Sequence, residues 1–128
     1  MRSNSTRKKI DRFEDMPVWQ ESQELAVSIY KATNNFPENE KYGITSQVRR
    51  SSSSVSANIA EGFGRKSVKE RINFYHIALG SLLETKNFLY LSARLELIEQ
   101  QEIDELIHHI ESIHAQINSI LKYFKNNE

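Results

Sequence analysis

Residues 43–67 read GITSQVRRSSSSVSANIAEGFGRKS. The run Ser51–Ser54 favours a loop on propensity alone, because short hydroxylated side chains compete for backbone hydrogen bonds. Val48, Ser52, Val55 and Ile59 nevertheless recur at steps of four, three and four, which is one face of an α-helix. The spacing predicts a helix that opens at an N-cap, Thr45, and closes at Gly62, a residue able to take the left-handed C′ conformation. Ser67-Val68-Lys69-Glu70 then has the form of a capping box, in which Ser67 accepts from the Glu70 N–H and the Glu70 carboxylate reaches back to that of Ser67. Projected at about 100° per residue, Gln47, Arg50, Ser54, Asn58 and Glu61 share a polar flank, while Ser53, Ser56 and Ala60 make a smooth flank opposite. Small side chains let another helix come close, and the polar flank can hydrogen-bond across an interface. Glu61 opposes the helix dipole in the last turn and calls for a cation, either Arg65, Lys66 or Arg50 of an adjacent subunit.

Working outward, the stretch is flanked by three further helical patterns. Before it, Val18, Ser22, Leu25, Ile29 and Ala32 form an apolar stripe widened by Trp19, Ala26 and Tyr30. Pro17 suits the first turn of that helix, and Phe36-Pro37 ends it. After it, Ile72, Tyr75, Leu79, Leu82 and Leu89 lie on one line and Phe74, Ala78, Ser81, Thr85 and Phe88 on another. Gly80 sits inside this third helix, where it is about 1 kcal/mol worse than alanine, so a close backbone approach is expected there. Ile103, Leu106, Ile110, Ile113, Ile117, Ile120 and Phe124 alternate steps of three and four and give the clearest helix of all. Helices are therefore expected over about 16–34, 45–61, 68–93 and 100–125. No strand-like alternation bounded by hairpin turns occurs. The expected fold is all-α, an antiparallel up-down-up-down four-helix bundle spanning 15–125 behind a basic, mobile N-terminal tail at 1–14.

The 128 residues fit one domain, with 38% apolar and 27% charged side chains. Seventeen basic residues balance seventeen acidic ones, so attraction to a polyanion must come from local asymmetry. That asymmetry exists: Arg49, Arg50, Arg65, Lys66, Lys69 and Arg71 face only Glu61 and Glu70, whereas residues 96–111 are acidic and hold no Lys or Arg. The chain has no cysteine, which excludes disulfides, thiolate metal sites and cysteine nucleophiles. It also has no apolar run of membrane-spanning length, and a cytoplasmic location is expected.

Chemistry finds little support. Glu105-x-x-His108 and Glu111-x-x-His114 share the spacing of carboxylate-bridged di-metal bundles, but both lie on one helix and His76 has no matching glutamate, so no metal is expected. No serine sits in a G-x-S-x-G elbow, and Gly62–Ser67 lacks both the spacing and the preceding strand of a phosphate loop. An anion could still rest on the amino end of the third helix beside Arg65 and Lys66. No catalytic residue and no cofactor are expected. Phe63, held between Gly62 and Gly64, reads as a packing anchor ahead of a base-stacking group.

Gln47-Val48-Arg49-Arg50, the string Ser56-Ala57-Asn58-Ile59-Ala60-Glu61-Gly62-Phe63-Gly64-Arg65, and Ala78-Leu79-Gly80-Ser81-Leu82-Leu83-Glu84 together resemble the bacterial four-helix-bundle family named after proteins encoded in 23S ribosomal RNA intervening sequences. Val18-Trp19-Gln20, Tyr30 and Phe36-Pro37 match in order, extending the resemblance over about residues 13–125. Ser51–Ser54 is richer in serine than the usual alanine-bearing stretch, and Glu96 stands where the family often has glycine. The resemblance implies a homo-oligomer, with ring-shaped pentamers the form of relatives. It also implies kinship with accessory proteins of diversity-generating retroelements, which bind nucleic acid and a reverse transcriptase. It implies no catalytic activity.

The leading expectation is a non-enzymatic oligomeric bundle that binds RNA or DNA through Arg49, Arg50, Arg65, Lys66, Lys69 and Arg71, with Asn58, Glu61, Gly62 and Gly64 stabilising the turn or the oligomer. The alternative is a homo-oligomeric scaffold that touches no nucleic acid.

Overall fold

The computed structural model describes residues 10–127; of the tail expected at 1–14, residues 1–9 lie outside the described residues. Four helices follow in order: α1 (Pro17–Thr33), α2 (Ile44–Phe63), α3 (Val68–Arg94) and α4 (Gln100–Asn126). Each packs against its two neighbours, and the diagonal pairs α1–α3 and α2–α4 make no close backbone approach among the described residues. Short connections therefore produce an antiparallel up-down-up-down bundle. Val18, Leu25 and Ile29 of α1, Val48, Val55 and Ile59 of α2, Tyr75, Leu82 and Leu89 of α3, and Ile103, Ile110, Ile113 and Ile117 of α4 fill the interior. Each such side chain contributes about 1.5–3 kcal/mol on full burial.

The serines of α2 are reconciled with helix and core at once. Ser51 and Ser52 are fully buried. Ser51 Oγ bonds Thr85 Oγ1 on α3 at 2.8 Å, and one turn on Ser81 Oγ donates to Ser54 Oγ at 3.2 Å. Ser52 donates instead to the Arg49 carbonyl within its own helix, which satisfies a hydroxyl that would otherwise cost about 1–3 kcal/mol buried and unpaired. Small side chains bring α2 and α3 closer than any other pair. The polar flank of α2 is thus spent largely on α3 of the same chain.

Several local expectations are corrected. Arg12–Glu14, placed in the tail, enter a short 3-10 turn at Phe13–Asp15 whose Phe13 ring meets Trp19 edge-on at 5.3 Å. Helix α2 opens one residue early: Gly43 is its N-cap, because Ile44 is drawn into the core, and Thr45 is buried with an Oγ1 that lacks any partner among the described residues. Gly62 does not end the helix, which continues through Phe63 to a cap at Gly64 whose φ of −80° is ordinary for any residue. What Gly62 supplies is space, since a Cβ there would lie 2.8 Å from the Cβ of Phe74 on α3. Ser67 accepts from the Glu70 N–H at 3.1 Å as expected, but the reciprocal bond from the Glu70 carboxylate is not made.

The turn after α3 has the geometry that favours glycine. Leu97 N–H reaches the Ser92 carbonyl and Glu96 N–H that of Ala93, a Schellman pair, with Glu96 at φ 59° as the left-handed residue. Gly80 again differs from expectation, because no other element among the described residues lies within 4 Å of a Cβ built on it.

The two helical glycines therefore have opposite mutational signs. Gly62→Ala forces α2 from α3 and lowers stability by about 1–3 kcal/mol, whereas Gly80→Ala meets open space within the chain and raises the stability of the single chain by about 1 kcal/mol. Urea denaturation of both variants checks the contrast, and equal signs would refute it.

Candidate functional site

The antiparallel course brings the start of α1, the end of α2, the start of α3 and the end of α4 to one end of the bundle. Tyr75 of α3 joins them: its ring lies 5.9 Å from that of Phe124 on α4, and its hydroxyl points at the Met16 sulfur, 4.0 Å away. Burial pushes the Tyr75 phenol up to about 12. The α2–α3 turn above it is held rigidly. Arg71 Nε donates to the Arg65 carbonyl at 2.7 Å, and the Arg65 guanidinium pairs with Glu61 at 2.8 Å while lying 4.8 Å over the Phe74 ring. Glu61 thus receives its cation from its own chain, one helical turn on. Asn58 turns inward along α2 and donates to the carbonyl and hydroxyl of Ser54.

The six cations expected to act together form two groups. Arg49 is a structural bolt: its Nε donates to Thr33 Oγ1 at 2.8 Å, its terminal nitrogen reaches the Tyr30 carbonyl and Asn34, and it covers the Tyr30 ring at 4.7 Å. Arg50 pairs with Glu84 of α3 and with Gln47. Both lie about 20 Å from Gly62 along α2, at 1.5 Å per residue. Arg65, Lys66, Lys69 and Arg71 remain together at the turn. Lys66 and Lys69 are exposed and make no ion pair among the described residues.

Sequence spacing missed two partners. Lys122 and Lys125, exposed on the last turns of α4, reach this same end through the Tyr75–Phe124 contact. The signal was their position within one turn of the inward-facing residues Ile120 and Phe124 at the close of an antiparallel helix. Arg12, Arg65, Lys66, Lys69, Arg71, Lys122 and Lys125 here oppose Asp11, Glu14, Asp15, Glu61 and Glu70, of which Glu14 and Glu61 are already paired with Arg12 and Arg65. At the other end Lys31, Lys41, Arg49 and Arg94 oppose Glu38, Glu40, Glu96, Glu99, Glu102, Asp104 and Glu105. The bundle has a basic end and an acidic end about 35 Å apart along α4.

Among the described residues, no group of three or more His, Asp or Glu side chains is placed to hold a metal ion. No helix is long and apolar enough to cross a membrane. The arrangement offers exposed positive charge around a rigid turn, and its histidines and carboxylates are not gathered into a reactive set.

A family model described as 23S rRNA-intervening sequence protein matches residues 14–119. Among solved structures, the chain is similar to a protein of unknown function from the S23 ribosomal protein family of Bacteroides thetaiotaomicron, with 32% identity, a TM-score of 0.74, and coverage of 82% of this chain and 98% of that one. No curated protein matches the chain.

The division of labour between neighbouring arginines has a thermodynamic consequence. Arg49→Ala removes charged hydrogen bonds that tie α1 to α2 and lowers stability by about 2 kcal/mol. Arg50→Ala removes an exposed pair and costs under about 1 kcal/mol. Chemical denaturation of the two variants should rank them in that order.

Proposed function

Because the chain belongs to the family of 23S rRNA-intervening sequence proteins, we propose that it is a non-enzymatic helical-bundle protein that binds RNA at the basic end of the bundle and acts as a homo-oligomer. The observation that supports this reading is the pair of exposed lysines at the amino end of α3, Lys66 and Lys69, which no carboxylate among the described residues engages. Arg65 adjoins them, and Lys122 and Lys125 are exposed at the same end of the bundle. Phosphate oxygens fit such a surface, since the Val68 and Lys69 N–H groups, beyond the one that Ser67 caps, add their partial positive charge. Arg49 and Arg50 are assigned to the fold and not to the ligand.

A scaffold role without nucleic acid is the second reading, and one feature favours it. The outer face of α3 exposes Ile77, Leu83, Tyr90 and Leu91 around Gly80. A glycine with no contact inside the chain is explained when another copy lies against it. A ring of copies, the form implied by the family resemblance, repeats the basic end and multiplies weak phosphate contacts by effective concentration.

Titration of a labelled structured RNA at two salt concentrations tests the primary reading. Affinity should fall on the order of 10²-fold between about 50 and 200 mM salt for five phosphate contacts. The double variant Lys66→Ala, Lys69→Ala should flatten the log–log salt slope by about 1.5, and Arg50→Ala should leave it unchanged. No binding at low salt, or an unaltered slope in the lysine double variant, overturns the proposal.

A further inference from the structure

Under the basic turn lies a cavity of about 150 Å³, walled by Met16, Phe63, Arg71, Tyr75, Ile120 and Phe124. Its volume matches an apolar protein cavity that takes up benzene, so it accommodates one six-membered ring. Three of its walls are aromatic. The Tyr75 side chain is held in the core at 3% exposure, and its hydroxyl finds only the Met16 thioether at 4.0 Å. Thioether sulfur is a weak acceptor, so a strong donor is left pointing into an apolar space with its hydrogen bond largely unspent. Burial keeps that phenol protonated, with its pKa pushed up to about 12. Arg71 lines the same space, commits its Nε to the Arg65 carbonyl and makes no ion pair among the described residues, which leaves its terminal nitrogens for an anion at the mouth.

We propose that this cavity receives a single unpaired pyrimidine base of an RNA strand whose phosphates lie on Arg65, Lys66 and Lys69, with the Tyr75 hydroxyl donating to a carbonyl oxygen of the base. The inference rests on the RNA-binding reading and adds its ligand class. A base in a duplex stays in the stack and keeps its carbonyls engaged, whereas an unpaired base can be splayed into an aromatic pocket. Adenine has no carbonyl oxygen to accept from the Tyr75 hydroxyl, whereas uracil has two. Phe63 then serves both as the anchor of the turn and as one wall of the base site. The chain has a phosphate-binding rim and a base-sized recess within one turn of each other, which together select single-stranded pyrimidine segments over duplex RNA.

Fluorescence anisotropy of the full chain with labelled oligo(U), oligo(A) and an RNA duplex of equal length, at one salt concentration, tests this. Oligo(U) should bind most tightly. Tyr75→Phe, which preserves the ring and removes the donor, should weaken oligo(U) about fivefold and leave oligo(A) and duplex unchanged. Ile120→Phe, which fills the recess, should bring oligo(U) to the level of oligo(A), with thermal melting confirming that both variants are folded. Lys66→Ala should weaken all three probes alike. Equal wild-type affinity for the three probes, or an oligo(U) affinity indifferent to both recess variants, overturns the base site while leaving RNA binding intact. Absence of binding to every probe overturns the RNA-binding reading itself and the base site with it.

Discussion

The distance between α2 and α3 governs the rest of the molecule. It is set by what these helices lack: along the seam the side chains are Ser51, Ser54 and Gly62 on one side and Ser81 and Thr85 on the other, with Phe74 seated on the bare backbone of Gly62. Hydroxyls that bond each other or their own helix cost little to bury. A larger residue at any of these points would separate the backbones and leave the following turn too short to span the gap. Only residues 64–67 join the two helices. Because that turn is short, it is rigid, and because it is rigid, Arg65, Lys66 and Lys69 occupy fixed positions around the amino end of α3.

Much of the fold was legible in particular residues. Five of the apolar positions of α4, from Ile103 to Ile117, are buried at the spacing their sequence shows, since period alone decides which face a long amphipathic helix hides. The serine run was legible as helix because Val48, Val55 and Ile59 outweighed local propensity. Boundaries were less so: Thr45 looked like an N-cap by residue type, but the gain from burying Ile44 exceeded the gain from capping, and the threonine hydroxyl was stranded. Gly62 was identified as special for the wrong reason, because a need for space and a need for a left-handed backbone produce the same letter. The left-handed position fell instead on Glu96.

The candidate site was legible only in part, and the failure has a physical origin. Charge clusters in sequence are clusters in space only when the chain between them is compact, and a helix of 20 residues is extended. Arg49 and Arg50 were therefore separated from Arg65 by the length of α2 and consumed by Thr33, Tyr30, Asn34 and Glu84. Lys122 and Lys125 come from the far end of the sequence and join the turn only because an even number of antiparallel helices returns the chain to its starting level. The recess beneath the turn was invisible for the same reason, as its walls come from α2, α3, α4 and the segment just before α1.

The opposed charges of the two bundle ends act before any contact is made. A body whose net charge is zero feels little overall pull in the field of a polyanion, yet it experiences a torque, because its positive end is drawn in while its negative end is pushed away. Approach therefore becomes a matter of rotation: the bundle arrives turned, with the rim around Lys66 leading and the α3–α4 connection trailing. Much of the orientational search that slows ordinary protein encounters is completed in solution, within a screening length of about 10 Å at 0.1 M salt. Ionic strength then controls alignment as much as attraction.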